Sequence, residues 1–271
     1  MSIKRAALVL GLAIVAGAPG TANAADLYGG SIKDSYEPMA AVGPSIYLRI
    51  DGSYGGHDEP VMVEDGIYDL TNTEIDGAWS IGGGIGRYFT DTIRADVTYD
   101  HRFEADAKGD LADNYATLPG TRSFGLESDV VLVNAYYDFN RNGRFNPYLG
   151  LGLGVVYHQT TEGTVSDDCG CTGTIAEGSS THVAGAVMAG FTAKLRGGET
   201  MSAGGIKDGP VAVSAGRNLY LDVGYRFLYL GETATGEVTM NDATGTQVSR
   251  DPTVEDIHAH EVRVGLRYDL R

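Results

Sequence analysis

From Val262 to Leu270 the side chains alternate without a break. Val262, Val264, Leu266, Tyr268 and Leu270 share one face; Glu261, Arg263, Gly265, Arg267 and Asp269 share the other. A period of two predicts a pleated strand, because successive side chains leave a strand on opposite sides. Earlier stretches repeat the design. Residues 45–54 set Ile46, Leu48, Ile50 and Tyr54 against Tyr47, Arg49, Asp51 and Ser53, and residues 92–104 set Ile93, Ala95, Val97 and Tyr99 against Arg94, Asp96, Thr98 and Asp100. Residues 75–89, 124–139, 147–158, 181–195 and 218–230 do the same with more glycine or small residues on the second face, as in Asp222, Gly224 and Arg226 opposite Val223, Tyr225 and Phe227. With the last strand the count is eight.

An amphipathic strand suits two settings: a soluble sheet with its oily face buried, or a membrane barrel with that face on lipid and a polar interior. The connections favour the second. Those after strands two and four are short (residues 90–92 and 140–144), while those after strands one, three, five and seven are long and polar. Short periplasmic turns alternating with long extracellular loops mark an outer-membrane barrel. Residues 196–217, after strand six, break the rule. Aromatics fall at both rims of the oily face, with Tyr54, Tyr99, Tyr157 and Tyr229 toward the loops and Phe89, Phe139 and Tyr268 toward the turns. Such girdles match interfacial belts. The expected fold is therefore all-β: an eight-stranded antiparallel transmembrane β-barrel, an up-and-down meander over residues 45–271.

The inner face then carries Arg49, Asp51, Arg94, Asp96, Asp222, Arg226, Glu261, Arg263, Arg267 and Asp269. Eight strands leave a lumen just wide enough for side chains to fill, so these ten residues are expected to form an interior charge network that plugs it. Inward glycines on strands two and five leave room for gaps, which keeps a narrow porin-like channel for small solutes as an alternative.

The first residues fit an exported address. Lys4 and Arg5, an apolar run over residues 6–18 and Ala22-Asn23-Ala24 read as a signal peptide over residues 1–24. Residues 25–44, small and turn-rich, read as a periplasmic lead-in. The full chain carries a formal charge of −16; losing Lys4 and Arg5 with the leader brings it to about −18. That charge speaks against nucleic acid as a partner.

Candidate chemistry is sparse. Residues 55–74 and 231–256 concentrate acid, an arrangement suited to hydrated divalent cations or, more simply, to a solvated surface; no spacing matches a defined cation loop. His158 and His182 fall on the inner face of adjoining strands at the mouth, a candidate rim pair for a metal or a proton. His182 with Ser180 and Glu177 is the best candidate for a rim hydrolase. Cys169 and Cys171, with one residue between them, point to a tight local disulfide in an oxidising compartment, with metal binding or pairing between chains as alternatives.

Certain runs resemble the small eight-stranded outer-membrane β-barrels of Gram-negative bacteria, of OmpA-type or Opa-like form, and the porin-family surface antigens of alphaproteobacteria. They are Ala25-Asp-Leu27, Asn134-Ala-Tyr-Tyr-Asp-Phe139, Pro147-Tyr-Leu-Gly-Leu-Gly-Leu-Gly154, Leu221-Asp-Val-Gly-Tyr-Arg226 and the closing strand. The resemblance implies residence in the cell outer membrane and assembly by the barrel-assembly machinery. The family's terminal aromatic is replaced by Asp269-Leu270-Arg271. The function expected is non-catalytic, without enzyme activity or a cofactor: envelope integrity and surface interaction. Its partners are outer-membrane lipid and lipopolysaccharide, with the acidic loops meeting a host or surface ligand.

Overall fold

The computed structural model describes residues 46–64, 68–111, 120–141, 143–166, 172–196, 200–203, 211–214, 218–242, 245–249 and 252–270. The expected signal peptide and lead-in over residues 1–44, as well as Cys169 and Cys171, lie outside them. Eight long strands carry the fold: β1 (Ile46–His57), β2 (Ala78–Tyr88), β3 (Ile93–Leu111), β4 (Gly120–Asp138), β5 (Phe145–Thr160), β6 (Gly178–Arg196), β7 (Leu219–Ala234) and β8 (Thr253–Asp269). Each pairs antiparallel with the next, and β8 returns to β1 with Tyr47 opposite Asp269 and His57 opposite Ala259. The sheet closes on itself, as the alternation of residues 45–270 predicts.

Strands β3 and β4 outrun their sequence estimates, reaching Leu111 and starting at Gly120. The long connections are not plain loops either. Val61–Glu64 pairs with the start of β8, and Thr71–Ile75 with the end of β3. Gly163–Ser166 pairs with the start of β4, then Thr172–Ile175, Val238–Asp242 and Gly245–Ser249 follow in succession. The sheet therefore continues upward past the aromatic belt as a second storey. At the other end, residues 196–217 contain a separate hairpin, Thr200–Ala203 with Val211–Ser214.

The two storeys have opposite polarity. Below, on β3, Val97 and Tyr99 are exposed while Arg94, Asp96, Asp100 and Arg102 are buried. Above, Glu104, Asp106 and Lys108 face out while Ala105, Ala107 and Leu111 are buried. The switch requires a change of parity, and a register shift between Arg102 and Ala105 supplies it: one extra residue turns the even positions from the inner face to the outer. On β7 a similar irregularity is centred on Gly231, whose φ of 73° suits glycine, and on β8 Asp256 adopts φ 53°. Met62, Leu70, Ile75, Phe124, Leu126, Val165, Ile175, Leu230, Val238, Val254 and Ile257 fill the upper interior as an apolar core. The upper storey is thus built like a water-soluble barrel and the lower like its inverse.

Candidate functional site in the barrel interior

Period-two alternation sends the charged residues of β1, β3, β7 and β8 into the lower lumen, where water is excluded and each must find a partner. Most of them join, with Asp138 of β4, in one alternating column. Starting toward the turns, Arg94 Nε meets Asp138 at 3.1 Å and Arg94 Nη1 lies 3.9 Å from Asp96. Asp96 also takes hydrogen bonds from Tyr47 (2.9 Å), Asn134 (2.8 Å) and Arg49 (3.3 Å). Arg49 reaches Asp51 at 2.9 Å, and Asp51 pairs closely with Arg263. Arg263 lies 3.5 Å from Asp100, which receives Arg226 Nη1 at 2.9 Å. Arg226 Nε donates to Glu261 at 2.6 Å, and Glu261 pairs closely with Arg102.

The pairing pattern runs across the lumen as well as along it. β3 lies across the ring from β7, so the Asp100–Arg226 rung spans the bore, as does Arg102 to Glu261 of β8. Aromatic rings close the space between: the Arg94 guanidinium carbon sits 3.8 Å from the centroid of Tyr136 and 5.0 Å from that of Tyr148. Asp269 is held by Tyr88 (2.8 Å) and Asn218 (3.1 Å), and Arg267 lies 3.6 Å from Asp222. The inward glycines of β2 and β5 are close-packed by their neighbours. A Cβ on Gly86 would collide with the Tyr47 ring, and one on Gly150 would lie 2.6 Å from Tyr136. Their missing side chains are the space that the tyrosines occupy. All ten residues of the expected network face this interior. Sequence reasoning left out Asp100, Arg102 and Asp138 as members, although the alternation of β3 carries straight on through Asp100 and Arg102.

At the top of the column His57 accepts from Arg102 at Nε2 (2.9 Å) and donates from Nδ1 to the Asp76 carbonyl (2.9 Å), which fixes a neutral tautomer. It lies three residues beyond the belt residue Tyr54. Burial first, then the Arg102 charge, push its pKa down to about 4. In the upper storey Asp110 is held below the usual carboxylate range by hydrogen bonds from Thr121 and Asn72.

The candidate rim chemistry does not assemble. His158 is fully buried with both nitrogens engaged, Nδ1 with Ser128 (2.7 Å) and Nε2 with the Leu230 carbonyl (2.9 Å), so it cannot join His182 in ligating a metal. His182 lies 3.7 Å from Glu232, not Glu177, and Ser180 donates to Thr233 at 3.0 Å. Among the described residues no group of three or more His, Cys, Asp or Glu is placed to hold a metal ion. The reading of residues 55–74 as a solvated acidic surface needs correction at Glu64, which is buried against Arg122 at 2.6 Å. The polarity of the upper storey explains it: Glu64 lies on the inner face, where an unpaired charge would be costly.

No family model matches the chain. An uncharacterized protein of Brucella abortus (strain 2308) is 28% identical over 237 residues, covering 79% of this chain and 76% of that protein, and Brucella suis and Brucella melitensis carry proteins that match to the same degree. Among solved structures, the outer membrane protein OprG of Pseudomonas aeruginosa superposes with a TM-score of 0.47 at 15% identity, over 83% of this chain and 95% of that one. Neisserial surface protein A does so with 0.40 at 16%, over 83% and 97%.

Proposed function

We propose that the chain is a non-catalytic outer-membrane barrel that anchors a rigid, acidic β-structure at the cell surface, supporting envelope integrity and surface contact. The observation that carries this reading is the inversion of polarity at the bulges. Below them the outside is oily and the inside ionic, which water would penalise and lipid accepts; above them the order is that of a soluble protein. One environment cannot favour both halves. A bilayer around the lower storey and water around the upper one does.

The filled lumen supports an anchor over a channel, since ion-paired rungs span the bore and large rings occupy what the glycines leave. The upper storey presents Asp58, Glu104, Asp106 and Asp110 outward, a surface fit for cationic or cation-bridged partners. Full-length protein taken from the outer-membrane fraction should change mobility on SDS gels when boiled and show no resolved single-channel openings in planar bilayers. A chain that stays soluble without detergent and runs the same boiled or not overturns the anchor; discrete openings shift the reading to a channel.

A further inference from the structure

On the outer surface, four adjacent strands (β7, β8, β1 and β2) carry two features in line. The lower is a groove of about 370 Å³ across the seam where the sheet closes, walled by Leu221, Leu266 and Ile50 on one side and Val264 and Ile81 on the other. Gly52 lies between Val264 and Ile81 in register, and its absent side chain opens the groove. The upper feature, at the loop end of β7 and β8, is a cluster of rings. Phe227 stacks on His258 with centroids 5.5 Å apart and planes 21° apart, and lies 5.1 Å from His260. Tyr229 is 5.3 Å from His258, and Tyr225 hydrogen-bonds His260, whose other nitrogen lies 3.1 Å from Asp58. Beside it Gly56, opposite His260, has open space where a side chain would stand.

We propose that this face holds one molecule of outer-leaflet glycolipid, its sugar on the ring cluster and an acyl chain in the groove below; the proposal rests on the outer-membrane reading above. Flat rings bearing polar edges suit a sugar, whose C–H face packs on an aromatic ring while its hydroxyls reach imidazole, phenol and carboxylate. The groove sets aliphatic side walls over a floor to which Asp51, Gly52, Ser80 and Gly265 contribute, a mostly apolar lining that suits a chain better than a headgroup, and it opens onto the same apolar band that meets the bilayer. A chain lying there crosses from β7 to β2 over the β1–β8 pairing, so the lipid also bridges the closing seam.

Two variants separate the halves of the site. Gly52→Leu fills the groove without disturbing the backbone, since a Cβ there would find its nearest neighbour, the Ser80 carbonyl oxygen, at 3.6 Å, an ordinary contact. Phe227→Ala with His260→Ala removes the ring platform. Each protein, refolded into phosphatidylethanolamine vesicles and checked for heat-modifiable mobility, is titrated with hexa-acylated lipid A and assayed by native mass spectrometry. Wild-type protein should retain one lipid A. Gly52→Leu should lower retention at least fivefold, and the double variant should lose preference for lipid A over phosphatidylethanolamine. Equal retention by wild type and Gly52→Leu, or retained phosphatidylethanolamine in place of lipid A on the wild type, overturns the site. Because folding is read separately by gel mobility, failure of the lipid site is distinguishable from failure of the membrane reading.

Discussion

Arg226 lies between Asp100 and Glu261 with no exposed surface, and its value to the fold comes from what its loss would leave behind. Replacing it with methionine keeps much of the volume but takes one of two cationic partners from each of two buried carboxylates, leaving Asp100 to Arg263 and Glu261 to Arg102, and breaking one side of a buried pair costs about 3–5 kcal/mol. Arg226→Met should lower the unfolding free energy by that order in urea, followed by the fluorescence of Trp79, the only tryptophan in the chain. A loss below about 1 kcal/mol would mean that the column contributes little. His57 gives a second, pH-dependent readout. Its pKa is depressed in the folded protein, so the unfolded chain binds the extra proton first, and the stability due to neutral His57 is whole above about pH 6.5 and is lost as pH falls toward about 4. His57→Gln should flatten that part of the pH–stability curve relative to wild type, and curves that stay parallel from pH 7 to 4 would show that burial and the Arg102 charge do not hold this imidazole neutral. At this scale the inward residues were legible because parity alone assigns a face. Their partners were not, because whether Arg226 meets Glu261 beside it or Asp100 across the bore depends on strand stagger, which alternation does not encode.

Among the strands, β3 shows why the upper storey escaped the sequence. Alternation stops at Phe103 and Glu104, which looks like a strand end, yet the same strand resumes one position out of phase and runs on to Leu111. A strict period-two template reads a bulge as a boundary. The same blindness made Gly55 to Glu74 a plain loop, when Val61–Glu64 and Thr71–Ile75 are strands paired to β8 and β3. β7 makes the bulge testable. Gly231 combines a left-handed φ with a contact in which an added Cβ would lie 2.8 Å from the Cβ of His182. Gly231→Ala should cost at least the 1–2 kcal/mol of a left-handed non-glycine residue, and more from the contact. It should also loosen the upper end of β7, seen as faster hydrogen exchange at Glu232 to Ala234 with the lower strand unchanged. Unaltered exchange there would mean that the bulge is not held by this glycine.

For the whole molecule, the boundary between storeys is where water must give way to lipid, and it can be located by placing one charge on the outer wall at two heights. Val264 is 52% exposed on the lower band of β8, while Asp106 is exposed on the outer wall of β3 above its bulge. An arginine near the middle of a bilayer costs about 2–4 kcal/mol, whereas a charge swapped for another in water changes stability by about 0.5 kcal/mol or less. Val264→Arg should therefore reduce insertion into vesicles and lower the urea midpoint, and Asp106→Arg should leave both near wild type. A protein with its oily face turned to a soluble partner would also resent Val264→Arg, but it would do so without vesicles. The deciding comparison is thus the same pair of variants in detergent micelles and in bilayers of increasing thickness. If lipid surrounds the lower storey, the penalty at Val264 grows with thickness while the Asp106 variant stays flat. Equal penalties at both heights, or none at Val264, would remove the membrane from the account of this fold.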